Sequence, residues 1–410
     1  MRSWSDALRN LTQFLPVVAL AACMAPATTV TTGDPAQATQ SGMNQVLRGR
    51  QLVIQHGCGD CHGGATNPAA QGDGPFPGNS QWLAGRPTDT LPVGGLVAFP
   101  RNLTADEETG IGRYSERQIF NALRYGLRPR ATPDVEITSD VPGQGNHPAA
   151  PNYLSPAMPW LEFRHSSDED LRAIAAYLKR AVRPFSKRIP DSGAPPDFWA
   201  SEVSVAKVGS HISPAFPTSH EELHAPARRD QILHGRRLVI EYGCSGCHGG
   251  GDPGREGWLA GLRGQPPTVL APYVIEFPIG PFKTRPRNLT PDNTTGMGRF
   301  SERQVFNALR FGLRPGETPD VEITSQIPGQ GNHPANPKYL APPMPWPAWR
   351  NMPDADLWAI ATYLKHGLKP VVNRVEDSEG PPDFWASTYT AENFGPYPPP
   401  PFPTANERVP

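Results

Sequence analysis

The second half of this 410-residue chain repeats the first at an offset of 186 residues. RNLTADEETGIGRYSERQIFNALRYGLRP (101–129) matches RNLTPDNTTGMGRFSERQVFNALRFGLRP (287–315) at 22 of 29 positions. TPDVEIT, PGQGNHPA, MPW, PPDFWAS and FPT return at the same offset. Such self-similarity means one structural unit built twice, so any residue with an essential chemical role should appear in both copies. The copies run from about 45 to 218 and from about 231 to 404.

Each copy carries three helical patterns. The first are NQVLRGRQLVIQHG and DQILHGRRLVIEYG, with apolar residues at 46, 47, 52, 53 and 54 on one face. The second, SERQIFNALRYGL, has a serine at its N-cap, apolar Ile119, Phe120, Leu123 and Leu127, and Gly126 near its end. The third, SDEDLRAIAAYLKRAV, begins with acids and ends with bases, as a helix dipole favours; PDADLWAIATYLKHGL is its twin. Alternating strands are absent from this reading. With 51 prolines and 40 glycines, the rest is loop. WLAG breaks the repeat: it starts at Trp82 and at Trp258, an offset of 176. The loop beside it has therefore been remodelled.

Four of the five cysteines stand in HGCGDCHGG (56–64) and YGCSGCHGG (242–250). Both have the form C-x-x-C-H, the attachment pattern of c-type haem. Cys58 and Cys61, and Cys244 and Cys247, are expected to form thioethers with the vinyl groups of one haem each. His62 and His248 then become proximal iron ligands. Zinc would want a fourth ligand, and a redox dithiol needs neither the histidine nor the duplicate. Two covalently bound haem c groups are expected.

A sixth iron ligand should also recur. The candidates are Met158 and Met344, and His147 and His333; other histidines lack a histidine twin. Prolines flank the methionines in SPAMPW and PPMPW and restrict the backbone there. The methionines are the favoured pair. The histidines lie in the Gly-rich GQGNHPA loop and remain the alternative.

These copies resemble the cytochrome c domains of bacterial di- and tri-haem cytochromes, such as the cytochrome subunits of membrane-bound alcohol and aldehyde dehydrogenases. The resemblance rests on the helix leading to C-x-x-C-H, the N-L-T-x-D-x-x-T-G-x-G segments at 102–112 and 288–298, the MP loop, and the closing helix at 171–178. It covers the core of each copy. It implies an all-α fold of two tandem duplicated cytochrome c-like domains with extensive Pro/Gly-rich loops, and axial methionine from the MP loop. The stretch from the middle helix to that methionine is longer than the resemblance leads one to expect. Arg101 and Arg287, beside the N-L-T segments, are candidates to pair with haem propionates. Trp82, Trp160 and their twins are core or haem-wall candidates.

At the N-terminus, LTQFLPVVALAA (11–22) is a short apolar run behind Arg2 and Arg9, as in an export signal. It ends at Leu20-Ala21-Ala22-Cys23, which resembles a lipobox with Cys23 as the lipidated residue. The expected organisation is a lipoprotein signal peptide (1–22), a flexible tether (23–44), cytochrome domain 1 (45–185), strap and linker (186–230), domain 2 (231–371) and a C-terminal strap (372–410). PPDFWAS is expected to fold back over its own domain. A net charge of −1 gives no reason to expect a nucleic-acid partner. Together these features imply an exported, lipid-anchored electron carrier on the periplasmic side of a bacterial membrane. It would relay electrons between a redox protein donor and an acceptor, as part of a respiratory or dehydrogenase chain or of a larger complex. The competing expectation is a di-haem redox enzyme, of peroxidase or thiosulfate dehydrogenase type, with one open haem position.

Overall fold

Gly49 and Gly235 mark the crossing around which each half is built. A Cβ on Gly49 would overlap the carbonyl of Ala173 and the Tyr177 side chain, and one on Gly235 would overlap Ala359 and Tyr363 in the same way. The first and last helices of each half can approach this closely only where glycine leaves the space. The computed structural model describes residues 35–63, 76–87, 91–93, 96–155, 157–191, 209–262, 277–279, 282–341, 344–377, 389 and 395–410. The expected export signal, Cys23 and both PPDFWAS segments lie outside them.

In the first half, α1 (Pro35–Gln55) is followed by the short α2 (Cys58–His62), α3 (Glu116–Tyr125), α4 (Trp160–Phe163) and α5 (Asp168–Ala176), which runs on as a π turn over Tyr177–Ala181. The second half has α6 (Arg229–Glu241), α7 (Cys244–His248), α8 (Glu302–Phe311), α9 (Trp346–Trp349) and α10 (Asp354–His366). The structure is helix-rich, in line with the all-α expectation. It departs from that expectation in one detail: each half carries a small antiparallel hairpin, β1 (Leu91–Val93) with β2 (Leu96–Ala98), and β3 (Phe277–Ile279) with β4 (Phe282–Thr284). Three-residue strands are too short to show an alternating pattern. The expected tether is also helical from Pro35, where proline at the first turn and the following Ala and Gln favour a helix start.

Val46, Leu52 and Val53 of α1, Ile119, Phe120 and Leu123 of α3, and Leu171 and Ile174 of α5 form one core. Ile232, Val239, Val305, Leu309, Leu357 and Ile360 belong to its counterpart. Burying each such side chain stabilises by roughly 1.5–3 kcal/mol. The middle helices start at capping boxes, Ser115 with Gln118 and Ser301 with Gln304. They end at left-handed Gly126 and Gly312, each roofed so closely by Trp160 or Trp346 that no Cβ fits.

Residues 41–410 form one compact unit, and two features join its halves. The first is a self-complementary contact at the ends of α1 and α6. The rings of His56 and Tyr242, which share a repeat position, stack with centroids 4.4 Å apart. Gln55 donates to the Asn351 carbonyl at 2.9 Å and accepts from the Tyr242 hydroxyl at 3.2 Å. The second is an exchange of straps. Residues 209–211 lie on the first half, where Arg164 donates to the Gly209 carbonyl and His165 pairs with that of His211. The same strap then crosses: Arg236 donates to the Pro214 carbonyl at 2.8 Å and to Glu221 at 2.6 Å. The C-terminal strap makes the reciprocal journey. Arg350 holds the Gly395 carbonyl, then Arg50 of the first half donates to the Pro400 carbonyl at 2.6 Å and to Glu407 at 2.7 Å. Within the described residues, then, each strap touches its own half and locks onto the other.

Candidate haem-attachment sites

Each C-x-x-C-H box is a single turn of helix set off by a left-handed glycine, Gly57 before α2 and Gly243 before α7. The left-handed residue ends the long helix and turns the chain into the box within two residues. The box carbonyl is then pinned from behind. The Gly85 amide donates to the His62 carbonyl at 2.8 Å, and the Gly261 amide to that of His248 at 2.7 Å. Gly85 and Gly261 close the two WLAG segments. The loop between box and WLAG differs in length between the copies, and the anchor point is the same.

His62 and His248 are held by the same partner. The Nδ1 of His62 pairs with the Arg101 carbonyl at 2.7 Å, and that of His248 with the Arg287 carbonyl at 2.7 Å. Facing a carbonyl, Nδ1 carries the hydrogen and the opposite nitrogen, Nε2, carries the lone pair. Desolvation pushes the His62 imidazole down to about 4, against the opposing pull of the Arg101 carbonyl, and lowers that of His248 as well. Both rings are therefore neutral at physiological pH, the form that can bind a metal.

The carbonyls are placed by the N-L-T loops. Asn102, almost wholly buried, donates to the Phe185 carbonyl at 2.8 Å and to the Thr109 hydroxyl at 3.1 Å, and its carbonyl oxygen accepts from the Thr104 amide. Asn288 repeats this with Val371, Thr295 and Thr290. The loop is thus tied to the chain following the last helix, with Arg101 or Arg287 directed at the box.

The side chains of these arginines pair with the chain that follows the last helix of each half. Arg101 reaches the Pro190 carbonyl at 2.6 Å and Asp191 at 3.0 Å; Arg287 reaches the Val375 carbonyl and Asp377. Reading the sequence for charge drew attention to the guanidinium groups and missed the backbone carbonyls, which carry no residue signature.

None of Cys58, Cys61, Cys244 and Cys247 is in a disulfide. Burial pushes the Cys58 and Cys244 thiols up to about 12 and that of Cys247 up to about 11. Met158 and Cys58 both pack against the first core, as Met344 and Cys244 do against the second. His147 and His333 are buried in the long loops. Their Nδ1 atoms face the carbonyls of Pro148 and Pro334, and the His147 ring lies between Tyr125 and Tyr153. Trp82 and Trp258 are core residues whose indole N–H groups donate to Tyr177 and Tyr363.

The donor set fits haem c in both halves. Two unoxidised thiols and one neutral histidine share a turn, and the histidine's Nδ1 is already committed. Among the described residues, no protein group pairs with the Nε2 of His62 or His248.

Also among the described residues, no helix is long and apolar enough to cross a membrane. No family model matches the chain. Individual relatives do. The fructose dehydrogenase cytochrome subunit of Gluconobacter japonicus is 25% identical over 326 residues, 78% of this chain and 52% of that protein. The gluconate 2-dehydrogenase cytochrome c subunit of Pantoea cypripedii is 26% identical over 332 residues, 78% of this chain and 59% of that one. The cytochrome c subunit of the quinone alcohol dehydrogenase of Komagataeibacter europaeus is 26% identical over 281 residues, 68% and 49%. The chain thus spans about half the length of these relatives. Cytochrome c relatives imply covalently bound haem c, and the chain is similar to the cytochrome subunits of sugar, sugar-acid and alcohol dehydrogenases.

Proposed function

We propose that this protein is an exported di-haem cytochrome c, held by a lipid on Cys23 at the periplasmic face of a bacterial membrane. It relays electrons from a dehydrogenase partner to an acceptor. Haem c, when bound, supplies a one-electron ferric/ferrous couple. Cys58 and Cys61 hold one haem, and Cys244 and Cys247 the other. His62 and His248 would offer Nε2 to the irons, and Met158 and Met344 would each supply the second ligand. Arg101 and Arg287 act through their carbonyls, which keep the imidazoles aimed, while burial keeps them neutral. An iron held by both histidine and methionine would have no position left for substrate, which suits electron transfer rather than bond chemistry.

The observation that carries this reading is the identical histidine–carbonyl distance in two boxes whose neighbouring loops differ. The asymmetry of a di-haem enzyme falls at the sixth ligand, and there too both copies keep the same residues, Met158 and Met344 with His147 and His333.

The test is the far-red absorption of the purified ferric protein, scaled to haem content. Two equivalents of the methionine–ferric charge-transfer band are expected, and Met158→Ala and Met344→Ala should each remove one. No band in the intact protein would remove the methionine assignment and bring His147 and His333 forward. A high-spin spectrum would favour an enzyme with an open iron.

A further inference from the structure

The two haem boxes are not alike on their outer faces. Repeat position 60/246 is Asp60 in the first box and Gly246 in the second; position 162/348 is Glu162 in α4 and Ala348 in α9. The halves pack so that each box meets the other half's short helix. At the first box, Asp60 folds against Gly57, and a Cβ on Gly57 would come within 3.3 Å of the Ala348 Cβ. At the second box, the aliphatic part of Glu162 occupies the space that a Cβ on Gly243 would fill, and its Oε1 would lie 3.3 Å from a Cβ on Gly246. Each box therefore has one carboxyl against its outer face. The first supplies its own, and the second receives one from the opposite half.

We propose that Glu162, a residue of the first half, sets the reduction potential of the haem attached to the second. This rests on the haem reading above. A carboxylate beside the Cys244–Cys247 turn stabilises the ferric state, which carries one more positive charge than the ferrous. Its loss raises the potential. Solvent screens the effect only in part, because Glu162 is partly buried with its aliphatic stem packed on Gly243. Desolvation pushes the Glu162 carboxyl up to about 7, partly offset by its own backbone amide and by the positive charge of Arg164, and the same carboxyl adds to the upward shift of the Cys247 thiol. The device is directional. A change in the first half reaches the second haem through a contact, with no movement of the scaffold.

The experiment is a spectroelectrochemical titration of the full-length holoprotein at pH 9, where Glu162 is ionised, after haem content has been measured by pyridine haemochrome. Glu162→Gln keeps the shape and removes the charge. One of the two one-electron steps should move to higher potential while the other stays. In a chain carrying Cys58→Ala and Cys61→Ala, which retains only the second haem, the remaining step should move. With Cys244→Ala and Cys247→Ala it should not. If Glu162→Gln moves neither step, moves both together, or moves the one kept by the Cys244/Cys247 variant, the proposal is overturned. If a cysteine variant fails to mature, Met344→Ala in the full-length chain marks the step of the second haem, and Glu162→Gln must move that step and not the other. A protein without covalent haem would instead remove the functional reading itself.

Discussion

Tyr177 donates its hydroxyl hydrogen to Glu407 at 2.6 Å across 230 residues of chain, and Tyr363 donates to Glu221 at the same distance. Both glutamates are fully buried, and each also pairs with an arginine of the half it locks, Arg50 or Arg236. Trp82 and Trp258 extend the networks inward through the same tyrosines. A buried carboxylate is tolerated only when its charge and its lone pairs are met, and here they are.

Removing that carboxylate leaves Arg50 buried without its countercharge. Glu407→Ala should therefore cost about 3–5 kcal/mol. Guanidinium unfolding of the full chain, followed by fluorescence, should show a lowered midpoint. Glu221→Ala should do the same through Arg236. A midpoint unchanged in both variants would mean the straps add nothing to stability.

The helix crossings give a sharper test. Gly235→Ala places a methyl group against the Ala359 carbonyl, which as backbone cannot turn aside. The helices must separate, at a cost of about 1–3 kcal/mol. Gly42, on α1 but with open space around its Cβ position, is the control. Gly42→Ala should be neutral or slightly stabilising, since alanine is the better helix former. Thermal melts of the two variants should move apart.

Acid should weaken one joint in particular. Burial raises the Glu302 carboxyl, but hydrogen bonds from Arg228, His366 and Thr362 outweigh it and hold the group at about 2. A carboxyl depressed in the folded state contributes stability above its unfolded value near 4.5. That contribution falls away as pH drops toward 2. Between these pH values the wild-type melting temperature should decline more steeply than that of Glu302→Gln. Parallel curves would show that the Arg228–Glu302 pair contributes nothing.

Exchanged straps also predict how a cut chain behaves. A protease site inserted between residues 195 and 205 separates the halves covalently after cleavage. The C-terminal strap still holds Arg50, and the His56–Tyr242 contact remains. The fragments should co-elute on size exclusion in native buffer. Adding Glu407→Ala should make them separate more readily in mild denaturant. Dissociation of the cut wild-type protein in native buffer would contradict the joint role of strap and contact.

Much of this was legible in the chain. The 186-residue offset, the C-x-x-C-H boxes and the capped helices are local patterns, and local spacing reports on a turn of helix or a box on a helix end. The sequence comparison even held the strap glutamates: Glu221 and Glu407 lie three residues beyond the two FPT segments, at the same offset. What it lacked was a reason to extend the repeat that far, because a single acid in a Pro-rich tail carries no pattern. The carbonyls of Arg101 and Arg287 were hidden for another reason. Every residue has a carbonyl, and only the N-L-T loop's ties to Phe185 and Val371 select these two.

The sequence by itself determined that one unit is built twice, with paired thiols and a histidine in each copy, since those follow from residue type and near-neighbour spacing. Tertiary structure alone decided which half each strap secures, which carbonyl orients each histidine, and that Glu162 of one half lies against the box of the other. These relationships join residues tens to hundreds of positions apart. They are set by how two similar surfaces pack against each other, and packing depends on shape and charge across the contact rather than on order along the chain.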